Sequence, residues 1–118
     1  MTRERWAELN LDQQRIKVAE LCGWQEIHID EWCGSMWGYP AWWKPHMIYR
    51  KFPVPDYVGD LNAMHEAESK ACLGGNAALY EQNLRTIMLN DEKTWHPWHA
   101  NASQRAEAFA LTMEPEPN

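Results

Sequence analysis

Five of the chain's eight tryptophans fall within twenty residues: Trp24, Trp32, Trp37, Trp42 and Trp43, with Tyr39 among them. An indole offers a flat apolar surface of about 150–250 Å² and one N–H donor. A run of indoles can stack on bases or nucleotides, anchor a protein partner, or fill a core. With only two phenylalanines in 118 residues, the third use competes with the other two. Lys44, Arg50 and Lys51 follow closely and could neutralise a phosphate. The candidate ligand- or partner-binding set is therefore Trp32, Trp37, Tyr39, Trp42, Trp43, Lys44, Arg50 and Lys51.

Other chemistry is thinner. His96 and His99 have a spacing that zinc sites use, but Pro97 opposes a helix presenting both rings. His28, His46, Cys33 or Asp30 would have to complete such a site from afar. A thiol nucleophile needs a base and a group that orients it. Cys33 has His28 and His46 as conceivable bases, but Trp32-Cys33-Gly34-Ser35 specifies neither. Asp30-Glu31 and Asp91-Glu92 are adjacent pairs, and neighbouring side chains of a strand point apart. No GxGxxG or GxxxxGK[ST] loop is present, and Gly74-Gly75 reads as a helix break. The chain reads as a non-enzyme without catalytic residues, metal or cofactor.

Several elements must position these residues. Asn10 and Gln13 form a capping-box pattern ahead of a helix over 11–22, with Leu11, Val18, Ala19, Leu21 and Cys22 inward and Gly23 as its stop. Residues 1–9 supply a helical turn or two. Alternation of Ile27 and Ile29 with His28 and Asp30 predicts a short strand over 25–31. Gly34, Gly38, Pro40 and Pro45 make 32–45 a long aromatic loop, or two short pieces with a turn. Residues 47–52 are a second strand candidate. A helix over 60–70, capped by Asp56 or Asp60, turns Leu61, Met64 and Ala67 inward. Asn76 caps a helix over 77–89 with a stripe of Tyr80, Leu84, Ile87 and Met88. Residues 93–99 form an extended or turn segment. Asn101 and Gln104 cap the last helix, with Ala102, Ala106, Phe109 and Met113 inward, and 114–118 form a frayed tail. Four helices and two or three short strands predict a small α+β fold in one domain, 1–118, with helices packed on a small sheet.

Composition sets the limits. A chain of this length can bury about two-thirds of its surface and needs no disulfide or metal to fold. A net charge of −6 and scattered acids oppose a broad phosphate-binding face, and also a nucleic-acid mimic. Cys22, Cys33 and Cys72 are odd in number, match no metal knuckle and follow no secretory signal, so a cytoplasmic protein with reduced thiols is expected. No apolar run reaches the roughly 20 residues of a membrane span.

Three blocks, in order, resemble a known family. Residues 18–24 (VAELCGW) are similar to the helix-then-Gly-Trp opening of the phage ABA sandwich domain, 54–61 (VPDYVGDL) to its Pro-x-Tyr-x-x-Asp-[Ile/Leu] helix start, and 102–109 (ASQRAEAF) to its closing helix. They cover about a quarter of the chain. The resemblance implies a small α-β-α sandwich and a phage accessory protein, and it carries over no catalytic residue. The chain departs from the pattern in reading as helix over 76–89 and in its aromatic loop.

Together these readings lead to a non-enzymatic binder acting against a host process in the host cytoplasm. One form is a stoichiometric inhibitor of a host defence protein, anchored by Trp37, Tyr39, Trp42 and Trp43. The other is a sponge that holds a small nucleotide signal between rings, a role that a homo-oligomer would favour. A zinc- or thiol-dependent enzyme is the third.

Overall fold

The computed structural model describes residues 1–44, 50–91 and 99–115, and of residues 70–73 the backbone alone. The element order is α1 (Arg3–Glu8), α2 (Leu11–Leu21), β1 (Gln25–Ile29), β2 (Met36–Tyr39), β3 (Phe52–Pro53), α3 (Leu61–Leu73), α4 (Ala77–Asp91) and α5 (Ala102–Met113). The three strands form an antiparallel sheet in the order β1-β2-β3. The chain is a small α+β domain, the class expected from its pattern.

Local chemistry sets the helix ends. Asn10 accepts from the Gln13 N–H while the Gln13 side chain accepts from the Asn10 N–H, each at 2.8 Å. Asn101 and Gln104 repeat this reciprocal cap on α5. Asp60, not Asp56, caps α3 through the Asn62 N–H at 3.0 Å. Gly23, at φ 99°, ends α2: its N–H reaches the Glu20 carbonyl, and the Trp24 N–H reaches back to Ala19. That pair of bonds is the Schellman arrangement, which needs the left-handed backbone that glycine adopts at least cost.

Helix α5 is the hub. Nine of its twelve residues are buried, and α1, α2, α3 and α4 all pack on it. Ala106, Ala108 and Ala110 admit close neighbours, and Phe109 fills the centre beside Met64, Ile87, Met88 and Val18. Its polar groups are paired: Arg105 with Glu68 at 2.9 Å, Glu107 with Arg3 at 2.6 Å, and the Thr112 hydroxyl with the Ala108 carbonyl and Asn83. The Arg3 guanidinium is held charged more firmly than usual, chiefly by its bond to Glu107. At the end of α5, Glu114 accepts from the Met1 nitrogen and pairs with Lys17 at 3.2 Å, so the segment expected to fray from 114 is tied at its first residue.

Two inward assignments fail. Leu11 is 70 % exposed and Leu61 42 %. Each is the first residue of its helix, ahead of the turns that face α5. Met113 is only half-buried, whereas Tyr80, Leu84, Ile87 and Met88 form the expected buried stripe.

The sheet corrects the aromatic loop. Met36–Tyr39 is a strand, and it alternates: Met36 and Gly38 are buried while Trp37 and Tyr39 are half-exposed. A Cβ at position 38 would lie 3.1 Å from Ile27 Cγ1 and 3.2 Å from the Gln25 carbonyl, so the close approach of β1 needs glycine there. Strand β1 stops at Ile29, short of the expected 31, because Asp30 begins the turn. It bulges between Gln25 and His28, with Glu26 at φ 50°. Of the strand expected over 47–52, Phe52 lies in β3 and 47–49 lie outside the described residues. Pro53 sits on the edge strand, where a missing N–H costs no ladder bond. Met36 and Val54 join the sheet side to the helical core, with Ile27 and Trp24 packed against it.

Candidate functional site

Because β2 is a strand and Pro40 to Trp43 a turn, closed by the Trp43 N–H on the Pro40 carbonyl at 3.0 Å, the candidate rings separate into three groups.

The first is the β1–β2 hairpin tip. Asp30 and Ser35 close it through N–H to carbonyl at 2.7 Å, and the Gly34 N–H returns to the Asp30 carbonyl at 2.8 Å. The Asp30 carboxylate accepts from the Trp32 N–H at 2.7 Å. Gly34, at φ 72°, permits the tight return. This small hydrogen-bonded loop holds Trp32 at 97 % exposure. Cys33 beside it is exposed and donates its thiol to the Ser35 hydroxyl at 3.2 Å. Exposure rises along the hairpin from half-buried Ile27 through Ile29 to Trp32.

The second group lies on the open face of the sheet. Tyr39 and Trp43 stack at 4.1 Å between centroids and 20° between planes. Lys51 Nζ lies 5.4 Å from the Tyr39 centroid, donates to the Glu26 carbonyl at 2.7 Å and sits 3.2 Å from His28 Nδ1. Trp37 pairs with His28 across the strands, on the same face. The Trp43 indole N–H is buried without a hydrogen-bond partner among the described residues. These rings are closed on one another: a 4.1 Å stack leaves no gap for a base. Lys44 and Arg50 are exposed and flank residues outside the description.

The third is a cleft of about 260 Å³ beneath the turn, walled by Trp24, Trp42 and Tyr57, with Pro40 and Pro55 beside them and Glu66 from α3. Trp42 sits edge-on to Phe52, with centroids 5.3 Å apart at 67°. Phe52 pairs with Gly38 and so shares its inward face. The consecutive indoles of Trp42 and Trp43 thus serve opposite faces. Trp24 donates its N–H to the Tyr57 hydroxyl at 3.0 Å. Burial pushes the Tyr57 phenol well above its usual value, and Cys22 and the carboxylate of Glu66 add to this, so it stays protonated.

The candidate set is therefore not one surface. Trp32 stands alone, Trp37, Tyr39, Trp43 and Lys51 form the open face, and Trp42 belongs to the cleft. Trp24 is half-buried, packed against the core and a wall of the cleft. Tyr57 and Glu66 went unread as site residues because they join Trp24 only through the fold. The one local signal was the Gly23 stop, which places an apolar residue just after the helix. Trp6 is buried, and Trp95, Trp98, His46 and His96 lie outside the described residues. His99 is exposed, and among the described residues no group of three or more His, Cys, Asp or Glu side chains is placed to hold a metal. No described helix is long and apolar enough to cross a membrane. No family model matches the chain, and neither a curated protein nor a solved structure does.

Proposed function

We propose that this is a non-enzymatic binding protein that engages a host protein through the hairpin tip, with Trp32 as anchor, and blocks that protein stoichiometrically. The observation that carries this is the 97 % exposure of Trp32 on a loop closed by its own hydrogen bonds. A loop closed by its own hydrogen bonds has met the backbone's ordering cost before binding, and tryptophan is among the commonest interface hot spots. The phage accessory role implied by the three sequence blocks supplies the setting, a counter-host or anti-defence activity in the host cytoplasm. Partner binding is favoured over nucleotide capture because Tyr39 and Trp43 close on each other and Lys51 is engaged by Glu26 and His28.

The test is capture of partners from bacterial host extract on immobilised wild-type and Trp32→Ala protein, followed by titration of the purified partner. Loss of about 30-fold or more in affinity is expected, as for an anchor worth about 2 kcal/mol. If every captured partner is retained equally by Trp32→Ala, the proposal fails.

A further inference from the structure

The cleft lies at the other end of β2 from Trp32, and its chemistry differs from that of the tip. The geometry points to the cleft between Trp24, Trp42 and Tyr57 as a cage for an organic cation, an alkylated ammonium group, with Glu66 as the counter-charge.

Four observations lead there. First, among the described residues no lysine, arginine or histidine lines the cleft, and its charged member is the Glu66 carboxylate. Glu66 has no ion-pair partner among the described residues, whereas Glu68, two positions on, is committed to Arg105. An anion would meet π faces and a carboxylate. A cation would meet two indoles, a phenol and a carboxylate, and aromatic rings of this kind are what quaternary ammonium groups favour. Second, Trp24 spends its N–H on Tyr57, so that donor does not greet an incoming group. Third, two walls are set without a ligand: Trp24 by that bond and Trp42 by its edge contact with Phe52. Fourth, a volume of about 260 Å³ lies below the roughly 300–1,000 Å³ of drug-sized sites, which suits a small head group rather than a nucleotide. Pro40, Ala41, Pro55 and Ala67 add apolar surface that a methylated ammonium tolerates and a hydrated metal ion does not. The net charge of −6 draws cations to the molecule as a whole.

The head group could belong to a free small molecule or to a methylated lysine of a partner chain, and the experiment separates these. Choline, a trimethyllysine peptide and the neutral isostere 3,3-dimethylbutan-1-ol are titrated into purified protein, with tryptophan fluorescence and the indole N–H resonances as readouts. Choline is expected to bind at least about tenfold more tightly than its isostere. Trp42→Ala should abolish this binding and Glu66→Gln should weaken it, and circular dichroism should be unchanged in both. Tighter binding of the peptide would name a partner chain as the source, and tighter binding of choline a free molecule. Equal binding of choline and the isostere would overturn the proposal, as would no response to choline or peptide at roughly 50 mM. The Trp32→Ala variant should keep cation binding intact, so failure of the cage and failure of the partner reading are distinguishable.

Discussion

Arg105 is the one buried cation of the helix hub among the described residues. Its Nη1 reaches both oxygens of Glu68, at 2.9 and 3.1 Å, and its Nε donates to the Ala100 carbonyl at 3.0 Å. The two side chains are 11 % and 15 % exposed. Such a pair gains strong attraction at short range but has lost most of its hydration, so its net worth is small while the cost of breaking it is large. Glu68→Leu should take the carboxylate counter-charge from this buried guanidinium and cost about 3–5 kcal/mol. That is a large share of the roughly 5–15 kcal/mol that holds a domain of this kind together. At a urea slope of about 1.5 kcal/mol/M, the unfolding midpoint should fall by about 2–3 M. Removing both charges, as Glu68→Leu with Arg105→Met, should recover most of the loss, because no uncompensated ion remains. Urea titrations followed by far-ultraviolet circular dichroism would measure all three variants. A loss under about 1 kcal/mol for Glu68→Leu, or a double variant as weak as the single, would refute this account of the hub.

Three further outcomes are expected. The Tyr57 and Tyr80 phenols are both raised above their usual value, first by burial. A folded-state value above the unfolded one gives stability that is complete below about pH 10 and is lost as pH rises through the folded value. The unfolding free energy should therefore fall by about 1.4 kcal/mol per pH unit for each phenol above pH ~10, and Tyr57→Phe should flatten that slope in urea titrations. Gly38→Ala should cost about 1–3 kcal/mol by driving a methyl against Ile27 and the Gln25 carbonyl, with amide protection lost in the hairpin before the helices. Phe109→Ala, at 0 % exposure in the middle of α5, should cost about 3–5 kcal/mol by calorimetry or urea.

Features of short range were the legible ones. Asn10 with Gln13, Asn101 with Gln104, and Gly23 after Cys22 are chemistry completed within a few residues, and each forms as read. The stripe of α4 was equally plain because Tyr80, Leu84, Ile87 and Met88 repeat at helical spacing. Strand β2 was hidden by its own packing. Its inward positions are Met36 and Gly38, and where the core demands a residue without a side chain the period of two disappears. Arg105 and Glu107 are not among the inward positions that spacing picks out on the last helix, because their partners, Glu68 and Arg3, lie 37 and 104 residues away. The cleft was invisible for the same reason, assembled from the end of α2, the turn after β2, the segment before α3, and α3 itself.

This separation of stability from recognition has a consequence at Trp32. The hairpin tip is closed by the backbone of Asp30, Gly34 and Ser35 and by the Asp30 carboxylate, and none of these bonds involves the indole. At 97 % exposure the ring buries almost nothing, so it contributes almost no hydrophobic stabilisation. Trp32→Ala should therefore change the unfolding free energy by no more than about 0.5 kcal/mol, the range of an ordinary surface substitution. A core tryptophan such as Trp6, 4 % exposed, should by contrast cost about 3–5 kcal/mol on truncation. Were Trp32→Ala to destabilise the fold on that scale, the ring would be packing within the molecule, and the ground for a partner anchor at the tip would be gone. A neutral stability effect together with a lost partner would place the tryptophan's role in recognition.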